Sequence, residues 1–179
     1  MEKKIRNRVA YEIIAKSENK EWKEAVKEWK IENCYEDIKR KKECICGKEH
    51  LQYKYKLVNR KNGKIIYPIG KKCIKKLGVE ELNREAEMYV QKINLEHKMA
   101  KGDYLSIEDK DLSKRVIKHM YNKGVFQGNK YNEYNSKKDY QFVINMKNKK
   151  NKFDISNSEE KKLNAMLLQM KGYLSKRGK

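Results

Sequence analysis

The chain has 179 residues, of which 39% are charged and 38% are hydrophobic, and its formal net charge is +20 at pH 7. This length is enough for one ordinary domain or two small modules, and it excludes a large multidomain enzyme. No apolar run approaches the roughly 20 residues that span a bilayer, and the first residues lack the apolar segment of a secretory signal. We therefore expect a cytoplasmic protein.

The positive charge is concentrated in two blocks. Residues 38–77 contain 14 Lys and Arg against 2 Glu, and residues 125–179 contain 13 basic residues against 5 acidic ones. The two remaining segments are neutral, whereas a general surplus of surface lysine would be expected to raise all segments together. Concentrated cations suit the binding of phosphates with release of counterions, so the distribution predicts a polyanionic partner.

The first predicted region, residues 1–37, is expected to be helical. Val9 and Ile13 are four residues apart, as on one face of a helix. After a polar break, Trp22, Val26 and Trp29 repeat at i, i+4 and i+7, which predicts a second helix with both tryptophans on its buried face.

The second predicted region, residues 38–78, contains a β-hairpin. Residues 52–59 alternate strictly, with Tyr53, Tyr55 and Leu57 on one face and lysines on the other. Asn-Gly at positions 62 and 63 is a strong turn signal, and "KIIYPI" returns as the second strand. Because Pro68 cannot donate to a strand ladder, this strand is predicted to be an edge or to end there.

The third predicted region, residues 79–179, is helical. One helix is predicted over residues 79–100. Three others are predicted to begin where a serine is followed three residues later by an acidic residue, as in a capping box. The pairs are Ser106 with Asp109, Ser136 with Asp139, and Ser156 with Glu159. For the second of these helices a strand is the alternative, because "YQFVIN" alone also fits one. Whether the three regions share one core stays open.

The four cysteines, Cys34, Cys44, Cys46 and Cys73, all lie within forty residues of one another. Disulfides are disfavoured in the cytosol, so four clustered thiols predict a structural Zn²⁺ site, with ordinary buried cysteines as the alternative. Cys34 is the favoured fourth ligand because it has no other evident role, and His50 is the alternative. A catalytic zinc would need an open position and a general base, and neither is visible.

These elements predict an α+β fold that is mostly helical. A small, treble-clef-like β-hairpin stabilised by zinc would pack with a helical C-terminal bundle. Zinc would hold the hairpin and the following helix together, because a module of this size lacks a core of its own.

The stretch "YKYKLVNRKNGKIIYPIGKK" resembles the opening of the GIY-YIG nucleases. Tyr55, Tyr67 and Gly70 echo the two strands of that motif, although Pro68 interrupts the second one. The resemblance implies a catalytic arginine on the following helix, for which Arg84 is a candidate. A nuclease is therefore a lesser alternative.

A closer resemblance covers most of the chain and rests on three segments. They read "EWKIENCYEDIKRKKECICGKEHLQYKYKLVNRKNGKIIYPIGKKCIKKLG", "DYQFVINMKNKKN" and "SEEKKLNAMLLQM". These segments resemble a group of uncharacterised small zinc-module proteins from low-GC Gram-positive bacteria, their plasmids and phages, which share C-x-C-G and Pro-Ile-Gly-x-x-Cys-Ile. The resemblance implies that the four cysteines act together, and it implies no activity. Members often have Gly-Ser before the last cysteine, where this chain has two lysines after Gly70.

The first functional hypothesis is a non-enzymatic, zinc-stabilised basic protein that binds a nucleic-acid backbone, DNA or RNA, or a nucleoprotein complex. The predicted phosphate contacts are cations of the hairpin and of the segment before the last cysteine: Lys54, Lys56, Arg60, Lys61, Lys64, Lys71 and Lys72. Tyr53 and Tyr55 are candidates for base stacking if their face is exposed, and core packing is the alternative.

The second hypothesis comes from another class. A phage or other mobile element could encode such a protein as an inhibitor or adaptor that binds a host machine, for instance as an anti-CRISPR protein or an RNA polymerase ligand. For an enzyme, the sequence offers no nucleophile arrangement and no Gly-rich phosphate loop, and His50, His97 and His119 are scattered. We therefore assign no catalytic residue.

Overall fold

A computed structural model describes residues 2–149 and 155–176, with side chains from residue 8 onward. The fold is α+β and mostly helical, as the sequence predicts. The elements in chain order are helices α1 (Glu2–Lys16) and α2 (Trp22–Ala25), a 3-10 turn (Val26–Glu28), strands β1 (Trp29–Glu36), β2 (Tyr53–Asn59) and β3 (Ile65–Ile69), helices α3 (Lys71–Lys76), α4 (Glu80–Ala100) and α5 (Lys114–Asn122), a second 3-10 turn (Lys130–Asn132), and helices α6 (Ser136–Asn148) and α7 (Asn157–Ser175).

The three strands form one antiparallel sheet in the order β1-β2-β3. The predicted hairpin is confirmed, and the turn between β2 and β3 contains Gly63, whose φ of +70° is the conformation that glycine adopts without strain. Tyr55 and Leu57 are fully buried on one face of β2. Pro68 lies in β3 at the edge of the sheet, where a residue without an N–H group does not break the ladder.

Strand β1 replaces the second half of a predicted helix. The interpretation of Trp22, Val26 and Trp29 as one helix face is wrong, because helical structure ends at Glu28 and Trp29 begins a strand. Trp29 instead pairs with Asn59 of β2 and donates its indole N–H to Ser17 Oγ at 2.9 Å. Residues 1–37 thus supply a strand to the same sheet as the hairpin, so the predicted boundary at residue 37 separates two paired strands.

The chain divides into two compact units, one ending at Val90 and one beginning at Gln91, within helix α4. In the first unit, α4 covers the sheet through hydrogen bonds as well as apolar contacts. The Glu85 carboxylate accepts the backbone N–H of Ile31 at 2.8 Å, beside a bulge in β1, and the Tyr89 hydroxyl donates to the Glu32 carbonyl at 2.6 Å. The sheet and the first part of α4 therefore form one core.

The second unit contains helices α5, α6 and α7, whose buried side chains are mainly leucine, methionine, valine and isoleucine. Helix α5 begins at Lys114 and not near Ser106, because Ser113 is its N-cap and accepts the backbone N–H of Val116. Ser106 and Asp109 close an isolated turn instead. The start of α5 is therefore a correction to the prediction.

The other two predicted helix starts differ in how well they match the structure. Helix α6 begins at Ser136 as expected, but the preceding Asn135 is its N-cap. Helix α7 has the predicted capping box, in which Ser156 and Glu159 each accept a backbone N–H of the other. Among the described residues, every helix is too short or too polar to cross a lipid bilayer.

Candidate metal centre

Three cysteine side chains meet at one point of the first unit. The sulfur atoms of Cys44, Cys46 and Cys73 all lie within 4.8 Å of one another, and all three residues are buried. The Cys73 Sγ is 3.6 Å from the Cys44 Sγ and 3.3 Å from the Cys46 Sγ. The sequence prediction that these cysteines cluster is confirmed for these three.

A tight turn presents the first two sulfurs. The backbone N–H of Gly47 donates to the Cys44 carbonyl at 2.7 Å, and Gly47 has a φ of +84°, which disfavours a side chain. The Cys44 N–H donates to the Lys48 carbonyl at 2.7 Å, and the Ile45 N–H donates to the Pro68 carbonyl of β3 at 3.0 Å. The turn is therefore tied both to itself and to the edge of the sheet.

The third sulfur comes from helix α3, directly after β3. Gly70 precedes this helix, and a Cβ at this position would lie 2.7 Å from a methyl carbon of Leu51, so a larger residue would require the buried Leu51 side chain to shift. The Gly70 N–H points at the Cys44 Sγ at 3.3 Å, and the Cys73 N–H donates to the Gly70 carbonyl at 2.9 Å. The backbone of Gly70 thus contacts both Cys44, in the turn, and Cys73, in helix α3.

The geometry and chemistry of the three sulfurs fit a tetrahedral metal ion. Zinc–sulfur bonds of about 2.3 Å place neighbouring sulfurs about 3.8 Å apart, close to the separations of 3.6 and 3.3 Å. The neighbouring Cys73 thiol lowers the pKa of the Cys44 thiol against the effect of burial. The same interaction, together with burial, raises the pKa of Cys73. Of this pair, Cys44 is thus the thiol that loses its proton first.

Cys34 does not belong to this group. It is buried in β1, opposite Tyr55 of β2, and its sulfur is not among those within 4.8 Å of one another. Burial is the largest cause that raises the pKa of the Tyr55 hydroxyl, and the neighbouring Cys34 thiol contributes in the same direction. The side chain of Cys34 therefore lies beside Tyr55, which is a role that the sequence did not reveal.

His50 lies on the wall of a cavity that also reaches the cluster. The cavity has a volume of about 240 Å³, and its lining includes Cys44, Cys73 and His50. The His50 side chain is 77% exposed, and its Nδ1 is 3.2 Å from the Arg40 carbonyl oxygen. The backbone of His50 has a φ of +58°, a left-handed conformation in which histidine is enriched, like asparagine and aspartate, among the residues other than glycine.

The seven cations predicted to contact phosphates fall into two groups. Four of them form ion pairs with carboxylates of the first unit. The pairs are Lys54 with Asp37, Lys56 with Glu32, Arg60 with Glu85, and Lys61 with Glu28. Lys64, Lys71 and Lys72 are exposed, and no carboxylate in the described part of the chain pairs with them. Local charge balance therefore favours these last three as sites for an anion.

The cavity adds two cations that were not singled out from the sequence. Arg40 and Lys48 line the cavity together with Lys71 and Lys72. Among the described residues, no Asp or Glu lines it. All four are exposed. The signal that could have identified Arg40 and Lys48 is their position in the block with net charge +12, but only the fold brings them next to the last cysteine.

The two tyrosines proposed for stacking differ in exposure. Tyr55 is fully buried and donates its hydroxyl to the Ala86 carbonyl at 3.3 Å, so its burial supports the alternative of core packing and not base stacking. Tyr53 is half-buried and lines the cavity.

The residues of the nuclease-like motif also differ in exposure. Tyr67 is 44% exposed and packs edge-on against Tyr35, whereas Tyr55 faces the core. Arg84 forms an ion pair with Glu80 one turn away on the same helix. None of these contacts tests the nuclease resemblance, which stays a prediction.

Comparison of the chain with protein-family models, with curated proteins and with solved structures finds no match. The resemblance to Gram-positive zinc-module proteins therefore stays a prediction.

Proposed function

We propose that this protein is a zinc-stabilised module that binds the phosphate backbone of a nucleic acid. The observation that supports it best is the cavity beside the cysteine cluster, where four exposed cations face no carboxylate of the described residues. The metal would fix the local backbone, and the cations would bind the ligand. No step of bond making or breaking is part of this proposal.

The proposed ion is Zn²⁺, held by the thiolates of Cys44, Cys46 and Cys73. Three buried sulfur donors favour a soft or borderline metal over calcium or magnesium, which prefer oxygen ligands. A divalent ion with three thiolates carries one net negative charge. The nearby cations therefore outweigh the charge of the centre itself.

We propose His50 as the fourth ligand, in place of Cys34. His50 shares the cavity wall with Cys44 and Cys73, whereas Cys34 lies beside Tyr55. Structural zinc sites are almost always four-coordinate, and one imidazole with three thiolates is a common ligand set. Like the Cys34 sulfur, the ring nitrogens of His50 lie outside the group of atoms within 4.8 Å of one another. To reach the ion, the ring would exchange its contacts with the Arg40 carbonyl and the Glu49 carboxylate, both at the surface, for the metal.

Metal analysis of cysteine and histidine variants tests the centre. Purified wild-type protein is expected to contain one zinc per chain, and Cys73→Ala is expected to lose it. The matched control is Cys34→Ala, which removes a buried thiol outside the group and should leave the zinc content unchanged. With Co²⁺ in place of zinc, His50→Ala should shift the d–d absorption bands, and Cys34→Ala should not. Loss of metal in Cys34→Ala with retention in His50→Ala would contradict the ligand assignment.

The phosphate contacts are proposed to come from the cavity cations and not from the paired lysines of β2. A lysine that is already paired with a carboxylate must give up that carboxylate to bind a phosphate. Lys71 and Lys72 would bind a phosphate without losing an ion pair. Each phosphate contact contributes about −0.9 to the slope of log K against log salt for duplex DNA. Two lost contacts therefore change both the affinity and its salt dependence.

A salt titration of two double variants tests this assignment. Lys71→Ala with Lys72→Ala should weaken binding to a labelled oligonucleotide and reduce the magnitude of the salt slope by about 2. The control is Lys54→Ala with Lys56→Ala, which removes the same formal charge from paired positions and should leave the slope nearly unchanged. Equal effects of the two double variants would contradict the assignment. Absence of salt-dependent binding by the wild type would overturn the nucleic-acid proposal and favour a protein partner.

A further inference from the structure

A loop of the second unit, residues 127–135, exposes two aromatic side chains that have no role in the core. Tyr131 is 85% exposed and Tyr134 is 79% exposed. Single exposed aromatic residues are ordinary on protein surfaces. Here two of them lie three positions apart, in a loop whose other residues are Gly, Gln, Asn, Lys and Glu.

A buried polar network holds this loop in place. Asn132 is only 2% exposed, and its side chain accepts the Asn129 N–H at 2.8 Å and donates to the Gln127 carbonyl at 2.9 Å. It also donates to the Asp139 carboxylate of helix α6 at 2.6 Å. Because buried polar groups are costly when unsatisfied, this network favours a single loop conformation.

The backbone between the two tyrosines adopts an unusual conformation. Glu133 and Tyr134 have φ values of +55° and +58°, which residues other than glycine rarely adopt. The loop is also closed tightly, since a Cβ at Gly128 would lie 2.6 Å from the Tyr134 carbonyl oxygen. Strained backbone persists where surrounding contacts determine it, and it is concentrated at functional sites.

The charges around the two rings are positive. The Lys130 Nζ lies over one face of the Tyr131 ring, 5.0 Å from the centroid, so a base would stack on the opposite face. Glu133 is neutralised by Lys138 at 2.6 Å, and Lys130 and Lys137 have no carboxylate partner in the part of the chain that the structure describes. A flat aromatic surface beside a cation matches a nucleobase followed by its phosphate.

We infer that Tyr131 and Tyr134 stack on the bases of a single-stranded nucleic acid. The inference rests on the proposed function and names the form of nucleic acid that this part of the protein takes. Bases of a single strand expose their faces, whereas those of a duplex are already stacked on one another. An apolar protein partner fits less well, because the residues around the two rings are polar or charged.

Binding of matched single-stranded and duplex oligonucleotides tests the inference. The probes are a fluorescein-labelled 16-nucleotide DNA, the RNA of the same sequence, and the DNA annealed to its complement, all with zinc-loaded full-length protein. Tyr131→Ala and Tyr134→Ala are each expected to weaken single-strand binding by about 5-fold to 150-fold. Duplex binding should change little, and Tyr131→Phe and Tyr134→Phe should restore single-strand affinity. Comparison of the affinities for the DNA and RNA strands shows whether the protein prefers deoxyribose or ribose.

Tyr104→Ala is the matched control. Tyr104 is 87% exposed in the same unit, and the Lys171 Nζ lies 5.4 Å from its ring centroid. It therefore shares the exposure and the neighbouring cation of Tyr131 but not the ordered loop, and its removal should leave single-strand affinity unchanged.

The possible results separate this inference from the proposed function. If both alanine variants bind single strands as well as the wild type does, or lose single-strand and duplex affinity equally, the stacking role is wrong. Salt-dependent binding that still requires Lys71 and Lys72 would then leave the proposed function intact. If the wild type binds neither form, both proposals are wrong.

Discussion

Both units of this protein have an apolar core, and they differ in the polar contacts that join their segments. In the unit that ends at Val90, three polar groups join segments that are distant in the sequence. They are the three-cysteine cluster, the Glu85 carboxylate that accepts the Ile31 N–H of β1, and the buried Glu28 carboxylate. In the unit that begins at Gln91, apolar faces of helices α5 to α7 pack together, and capping residues fix the helix ends. We therefore expect loss of the metal or of the Glu28 charge to act on the first unit, and loss of a core side chain or a helix cap in the second unit to act there.

Metal removal is expected to have the largest effect and to separate the two units. A chelator should expose the cysteine turn and helix α3, because structural zinc contributes an apparent binding free energy of about 10–16 kcal/mol in small metal modules. Helix α7 contains no proposed ligand and should keep its protection. Hydrogen exchange with mass spectrometry can compare peptides from residues 43–78 with peptides from residues 157–175.

The comparison fails if the chelator leaves the amide protection of residues 43–78 unchanged. Equal loss of protection in both peptides would mean that the second unit depends on the metal as strongly as the first. Re-addition of Zn²⁺ after removal of the chelator provides the control for irreversible damage, and it should restore the protection of the cysteine turn.

The parts of the fold that could be predicted from sequence are those with a short-range signal. The alternation of apolar and polar residues predicted β2, and the Asn-Gly pair predicted the turn that follows it. The capping box of Ser156 and Glu159 predicted the start of α7. Strand β1 was missed because Trp22, Val26 and Trp29 also satisfy a helical period, and because the alternation in β1 is interrupted by a bulge between Ile31 and Asn33. The pairing with β2, which is distant in the sequence, determines that this segment is a strand and not a helix.

The site shows the same division between local and distant signals. The clustering of cysteines in the sequence was sufficient to predict that Cys44, Cys46 and Cys73 meet. It could not decide the place of Cys34, whose neighbour Tyr55 is set by strand register. It also could not show that Lys61 faces Glu28, because ion pairs between distant segments leave no pattern in the sequence.

A core truncation tests whether the second unit depends on apolar packing. Leu112 is fully buried, so Leu112→Ala should lower the free energy of unfolding by about 2–5 kcal/mol, through lost transfer energy and the cavity left behind. Leu168→Ala is the control, because Leu168 is 70% exposed and its removal should change stability by less than about 0.5 kcal/mol. Urea titration followed by circular dichroism measures both. Similar losses in the two variants would argue against the role assigned to apolar packing.

A pH titration tests whether the charge of the buried Glu28 carboxylate stabilises the first unit. Burial alone raises the pKa of this carboxyl, but hydrogen bonds from Asn59, from the backbone of Asn19 and Glu18 and from Lys61 lower it to about 2. The folded pKa is therefore below the unfolded value of 4.5, so Glu28 stabilises the fold above pH 4.5. This contribution is lost as the pH falls toward 2.

The Glu28→Gln variant isolates that contribution from other groups that titrate in acid. The wild type should be more stable than Glu28→Gln at neutral pH, and thermal unfolding should show the difference shrinking as the pH is lowered through this window. Comparison of the two proteins at each pH cancels the acid loss of metal, which affects both. A stability difference that is constant from pH 6 to pH 3 would show that the charge of Glu28 does not stabilise the first unit.

The smallest expected effect concerns the helix ends of the second unit. Ser156 accepts the backbone N–H of Glu159 at the start of α7, so Ser156→Ala should lower the free energy of unfolding by about 1 kcal/mol. Ser136 has the same sequence signature, but the N-cap of α6 is Asn135. Ser136→Ala should therefore be nearly neutral, and Asn135→Ala should have the effect of a lost cap. If chemical denaturation shows instead that Ser136→Ala costs as much as Ser156→Ala, the cap of α6 is placed one residue too early, and the sequence signature is the better guide to this helix end.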